Sequence, residues 1–179
     1  MRNMYRLLIL VVLVIVSSCS SKKSLQEYYV DNSENPNFLT FDIPSSVLNL
    51  EKVDLPKEQR VAIESLRKLN ILAFRKTADN AEEYKVEKTN VKAILKDDKF
   101  TELMKMNTPY GKATIKYVGD EDAIDEVVVY GDSDETGFAV IRVLGDDMNP
   151  ANILQLMQAL QKSDYKGEGL DKLQELFKS

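Results

Sequence analysis

Histidine and tryptophan are absent from the 179-residue sequence, and cysteine occurs once, at position 19. The missing imidazole removes the side chain that titrates near neutral pH, the usual partner of a serine or cysteine nucleophile, and the commonest transition-metal ligand. Most hydrolase and zinc chemistries are thereby excluded, leaving carboxylate, lysine or tyrosine chemistry, or none. A lone cysteine excludes an intrachain disulfide. Glycine and proline are sparse, at seven and five residues, which excludes a low-complexity chain. No apolar run is long enough to span a bilayer: the longest, Leu7 to Val16, would rise only about 15 Å as a helix, roughly half the hydrocarbon core. What is present, 44% apolar and 30% charged residues, is the composition of one globular domain.

The short apolar run follows Arg2 and Arg6 and precedes Val16-Ser17-Ser18-Cys19. That order predicts a signal peptide over residues 1–18, cut between Ser18 and Cys19. The tetrad resembles the lipobox of bacterial lipoproteins, and the resemblance implies that Cys19 becomes the acylated first residue of the mature chain, carrying palmitate-like chains. Each buried methylene contributes about 0.8 kcal/mol, so several acyl chains on one residue hold a protein on a membrane without spanning it. Ser20-Ser21-Lys22-Lys23 shows neither the aspartate that resembles an inner-membrane retention signal nor the acidic run that resembles a surface-export signal. The expected location is the outer membrane, facing the periplasm.

Residues 19–37, polar and broken by Asn35-Pro36, read as the lipidated cysteine and a flexible tether reaching up to about 60 Å. Residues 38–163 read as an α+β domain, and 164–179 as a C-terminal amphipathic helix set off by Gly167 and Gly169. Leu39, Phe41 and Ile43 alternate on one face of a strand, and Pro44-Ser45-Ser46 stops it and caps a short helix through Val47 to Leu50. Residues 57–69 repeat Ala62, Ile63, Leu66 and Leu69 at helical spacing and run into a buried strand over 70–75. A third helix starting near Thr89 buries Val91, Ile94 and Leu95. The period then changes to two over 101–107, 112–118, 124–130 and 137–144, four strands of an antiparallel meander. The last is apolar on both faces and therefore central. Asn149 and Pro150 then cap and open a helix to Gln161. The expected fold is α+β: an antiparallel sheet of five to six strands with helices packed mainly on one face.

The net charge of −5 becomes −7 once Arg2 and Arg6 leave with the leader, which does not support a nucleic-acid surface. Acidity concentrates at strand ends between Gly119 and Asp147. Asp132-x-Asp134-x-Thr136-Gly137 opens like a calcium loop, yet its twelfth position is Val143, so solvated hairpin turns are expected and a metal site is not. Ser65-x-x-Lys68 and Ser163-x-x-Lys166 spell half of a penicillin-binding signature whose other motifs are missing. Met104 and Met106 alternate and read as packing rather than as a copper site. Neither a catalytic residue nor a cofactor is expected.

The segments Thr40 to Leu50 (TFDIPSSVLNL), Leu69 to Lys76 (LNILAFRK) and Phe138 to Leu160 together resemble a family of small Bacteroidota lipoproteins catalogued as a domain of unknown function. The resemblance runs from about Phe38 to Gln161, while the tail after Ser163 is longer than the family core. It implies an envelope protein, with relatives often encoded near extracytoplasmic-function sigma factors, a setting that suits a stress or signalling accessory. It supplies no catalytic residue. Two expectations follow. One is a non-enzymatic binding or scaffolding lipoprotein that meets an envelope protein partner through its acidic turns and the stripe Leu170, Leu173, Leu176 and Phe177. The alternative is a periplasmic small-molecule or lipid-binding lipoprotein with a cavity lined by the Met-rich strand. An enzyme would need carboxylates in unlike environments, from among Asp120, Asp132 and Asp146.

Overall fold

A computed structural model describes residues 23–48, 56–108, 111–149 and 151. In chain order these form helix α1 (Leu25–Asn32), strand β1 (Phe38–Pro44), a 3-10 turn (Ser45–Leu48), helix α2 (Lys57–Glu64), strand β2 (Leu66–Arg75), helix α3 (Ala81–Ile94) and strands β3 (Thr101–Thr108), β4 (Gly111–Asp120), β5 (Ala123–Ser133) and β6 (Gly137–Met148). The period-two segments become long strands, and all six strands pair antiparallel in one sheet of order β1-β2-β6-β5-β4-β3. The expected α+β architecture is the observed one, with β3 to β6 as the meander. β6, apolar on both faces, lies between β2 and β5.

Register decides which side chains share a face, because neighbours along a strand point to opposite sides. Phe38, Phe74 and Phe138 stand in one row across β1, β2 and β6, and the row continues to Asp132 on β5 and Lys112 on β4. A second row on that face runs Thr40, Leu72, Val140, Tyr130, Thr114, Lys105, and a third runs Asp42, Asn70, Arg142, Val128, Lys116, Glu102. The phenylalanines form the centre of the core: Phe74 and Phe138 stack at 5.6 Å, and Phe38 meets Phe74 edge-on at 5.0 Å. Leu25 and Tyr28 of α1 and Tyr84, Val91 and Ile94 of α3 close over them. On the opposite face Ala62 of α2 and Leu66 join Ile115, Ile124, Val127 and Met148 in a smaller core.

Three expectations need correction. The tether does not extend to residue 37, because α1 is folded and buried. Ser24 caps it, its Oγ accepting the Glu27 N–H at 3.1 Å while Glu27 Oε2 accepts the Ser24 N–H at 2.7 Å. Tyr28, 1% exposed, is core. Helix α2 ends at Glu64, and Leu66 enters the sheet opposite Gly145, since an apolar pair three apart fits the edge of either element. Helix α3 begins at Ala81, well before Thr89, because its first turns bury Tyr84 alone. On β1 the buried residue is Phe38, and Leu39, on the other face with Phe41 and Ile43, is 38% exposed.

The expected leader with Ser18 and Cys19, the helix running to Gln161 and the stripe Leu170, Leu173, Leu176 and Phe177 lie outside the described residues. At the border, the Ala151 N–H donates to Asn149 Oδ1 at 3.0 Å, as an N-cap requires. Among the described residues no helix is long and apolar enough to cross a membrane.

Candidate functional site

The acidic turn singled out in the sequence is occupied from within the fold. Lys88 of α3 reaches Asp132 at 2.6 Å and Asp134 at 2.7 Å, and Lys92 lies 3.3 Å from Asp132. Burial opposes the charge on Lys88, but hydrogen bonds to Asp132, Asp134 and Tyr84 outweigh it and hold the ammonium above the ordinary lysine range. The same hydrogen bond keeps the Asp134 carboxyl below its usual range. Asp146 has a separate partner, Arg67, at 3.2 Å on the exposed surface. Ser65 sits at the carboxyl end of α2, its hydroxyl donating to the Ala62 carbonyl at 2.7 Å, while Lys68 is already on β2. The Ser-x-x-Lys spacing is therefore split across two elements. Among the described residues no three acidic side chains converge as metal ligands.

A buried polar cluster lies beneath α1. Arg142, 6% exposed on the central strand, donates through Nε to Glu126 Oε1 at 2.6 Å, through Nη2 to Glu126 Oε2 at 3.2 Å, and through Nη1 to Gln26 of α1. Next to it in the same row, Asn70 Nδ2 donates to Asp42, which also accepts the Tyr29 hydroxyl at 3.2 Å. Burial, aided by the Asp42 charge, pushes the Tyr29 phenol up to about 12. Arg142 and Asp42 are each bonded to α1 and to a neighbouring strand, which fits a fastening of α1 to the sheet, while Asn70 Oδ1 is buried without a partner.

An open cleft lies at the other end of that sheet face. The core under α1 and α3 takes its residues from β1, β2, β6 and β5, with only Val118 packed against it from β4. The columns of β4 and β3 therefore project past α3, and the rows that carry Phe74 and Leu72 on β2 end there in lysine, threonine and asparagine. A cleft of about 460 Å³ results, walled by Lys92 of α3 and by Leu95 and Lys96 just past its end, and floored by Lys112, Thr114 and Lys116 of β4, with Lys105, Met106 and Asn107 of β3 at the rim. Tyr130 and Asp132 of β5 close its inner side. The volume is in the range of small-ligand sites.

Five lysines line this cleft against Glu102 and Asp132. Three are engaged: Lys92 with Asp132, Lys105 with Glu102 at 2.7 Å, and Lys116 donating to the Phe100 carbonyl at 3.2 Å. Lys96 and Lys112 have no ion-pair partner among the described residues. The Tyr130 hydroxyl is buried and unbonded, and burial, with the Asp132 charge behind it, raises its phenol above the ordinary range. Ammonium, hydroxyl and amide donors around an apolar wall are the chemistry of holding an anion. Sequence reasoning passed over this site, although Lys112-x-Thr114-x-Lys116 at strand period and Lys92 with Lys96 one helical turn apart carried the signal.

The sequence model of the family described as Domain of unknown function (DUF4252) matches residues 28–156, well over half of the chain. The chain belongs to this family. No curated protein and no solved structure matches it. The resemblance carried by the Thr40, Leu69 and Phe138 segments thus holds at the level of a domain of unknown function. The DUF4252 span begins at Tyr28, inside α1, and includes all six strands and every wall of the lysine cleft. The cleft is therefore built by the family domain itself.

Proposed function

We propose that this DUF4252 chain is a membrane-tethered binding module of the cell envelope that performs no catalysis. The cleft between α3 and β3–β5 carries the reading: it has the size and donor set of a recognition site, while the carboxylates considered for chemistry, Asp132 and Asp146, are paired with lysine and arginine. The lipobox supports anchoring through an acylated Cys19 in the outer membrane, facing the periplasm. Because α1 begins at Leu25, at most about 20 Å of chain separates it from Cys19. The domain works against the lipid surface rather than far above it.

Between the two forms of this reading, the cleft favours a small-molecule or lipid-binding lipoprotein, with Met106 of the Met-rich strand at its rim. Scaffolding through the acidic turns is less favoured, since Lys88 already neutralises Asp132 and Asp134. An envelope protein partner would use the Leu170, Leu173, Leu176 and Phe177 stripe, and a stress or signalling role rests on the family resemblance alone. In-cell crosslinking with affinity purification and mass spectrometry, comparing wild type with Cys19→Ala at equal expression, tests the proposal. Acylated Cys19 in the membrane fraction, and release of Cys19→Ala from it, are expected. A protein that stays membrane-bound without Cys19 contradicts the anchor, and a stoichiometric protein partner with an empty cleft favours scaffolding.

A further inference from the structure

The lysine cleft is open and is built by the family domain, and among the described residues no other segment fills it. Its two uncommitted ammonium groups, Lys96 and Lys112, come from different elements, one from just past the end of α3 and one from β4 on the floor. Thr114, Leu95 and Tyr130 line the same cleft, the last two nearly fully buried. Both lysines are exposed and without an ion-pair partner among the described residues, so an anion that enters the cleft finds two ammonium groups free to bind it. The surrounding protein is net acidic, so a local excess of lysine here is not a by-product of a basic surface. A long polyanion would meet that acidic remainder, whereas a small anion fits within the 460 Å³ available.

We infer that the cleft binds a small anionic amphiphile, a phosphate or carboxylate carried on a short apolar body. The anionic group sits between Lys96 and Lys112 with the Thr114 hydroxyl donating to it, and the apolar body lies along Leu95 and the Tyr130 ring. This rests on the ligand-binding reading above and adds the ligand's charge and shape to it. The short reach from Cys19 to α1 places such a site near the lipid surface, where molecules of this class partition. Free small anions of the same chemistry would enter from solution.

The test uses the full mature chain with Cys19→Ala, isotopically labelled for amide NMR, and four probes below their micelle concentrations: octyl phosphate, octanoate, inorganic phosphate and octyl glucoside. Octyl phosphate and octanoate are expected to shift Lys96, Lys112 and Thr114 amides in a saturable way. Inorganic phosphate should bind at least tenfold more weakly, and octyl glucoside should leave those amides unmoved. Lys96→Gln with Lys112→Gln should weaken octyl phosphate at least tenfold. Lys57→Gln with Lys85→Gln, the same charge change outside the cleft, should weaken it less than twofold. Equal binding of octyl glucoside overturns the anion requirement while leaving a ligand-binding cleft. Equal binding of inorganic phosphate overturns the apolar requirement. Saturable shifts by none of the probes overturn both this inference and the ligand-binding reading beneath it.

Discussion

Arg142 and Glu126 form a two-pronged ion pair across the β5–β6 boundary, Nε to Oε1 at 2.6 Å and Nη2 to Oε2 at 3.2 Å, with both side chains largely out of solvent. Removing one partner from a buried pair leaves an uncompensated charge. Arg142→Ala should therefore cost about 3–5 kcal/mol, read as a lowered urea midpoint with an unchanged slope. Replacing both residues together, as Arg142→Met with Glu126→Leu, should cost distinctly less, and an equal loss in the double variant would contradict this account of the pair.

The amino-terminal helix separates a folded start from a tether. Tyr28 packs edge-on against Phe38 at 6.1 Å and donates its hydroxyl to Glu87 at 2.6 Å. Tyr28→Ala should destabilise the domain by about 3–5 kcal/mol, in the range of buried aromatic truncations. Denaturant unfolding that is indifferent to this substitution would restore the reading of residues 19–37 as a flexible linker.

Much of the sheet was legible because its signal is local: alternation fixes a strand's faces wherever turn residues bound it, and the apolar run after Gly137 could only be central. What escaped depended on partners elsewhere in the chain. α1 carries its buried surface on Leu25, Tyr28 and Tyr29 among polar residues, and only the phenylalanine row beneath shows why they are core. The cleft escaped for a related reason. Each lysine reads singly as a solvated residue, and the site exists because α3 stops short of β4 and β3, a property of register and helix placement rather than of any one segment.

Gly137 opens β6 at φ +125°, and a Cβ there would stand 2.0 Å from the Phe74 carbonyl oxygen. Side chains rarely adopt that conformation, and the backbone neighbour has nowhere to move. Gly137→Ala should cost at least about 2 kcal/mol by thermal or urea unfolding. Gly131→Ala, whose Cβ would meet nothing closer than the Lys112 carbonyl at 4.0 Å, is the matched mild substitution.

Stability should depend on pH at the two extremes and little between them, because no histidine titrates in the middle. Tyr29 has a raised phenol, near 12 when folded against 10.0 unfolded, so its contribution is complete below pH 10 and is lost as the unfolded chain ionises between 10 and 12. Lys88, also raised, weakens in the same alkaline direction. Asp134 and Glu27 are depressed, so their contributions are present above about pH 4 and are lost as pH falls through their folded values. Burial raises the Tyr28, Tyr84 and Tyr130 phenols as well, so urea midpoints should trace a plateau with an alkaline fall from pH 10 of which Tyr29→Phe removes only a part. A midpoint that drops between pH 6 and 8 would contradict this assignment of titrating groups.

The buried, unbonded Tyr130 hydroxyl predicts that the fold gains nothing from it. Tyr130→Phe should leave the empty protein unchanged or up to about 1 kcal/mol more stable, since it removes a polar atom that the fold does not satisfy. A loss of stability would mean that the hydroxyl holds the cleft wall in place.

The central claim, a membrane-tethered domain that binds through its lysine cleft, is tested most directly in cells. A photo-crosslinking amino acid placed at Asn107 on the cleft rim is compared with one at Val86, exposed on the outer side of α3, and the purified protein is weighed intact. The account predicts a small-molecule adduct at Asn107, none at Val86, and loss of the Asn107 adduct when Lys96 and Lys112 are both glutamine. Equal adducts at the two positions, or an Asn107 adduct unmoved by the lysine substitutions, would contradict it.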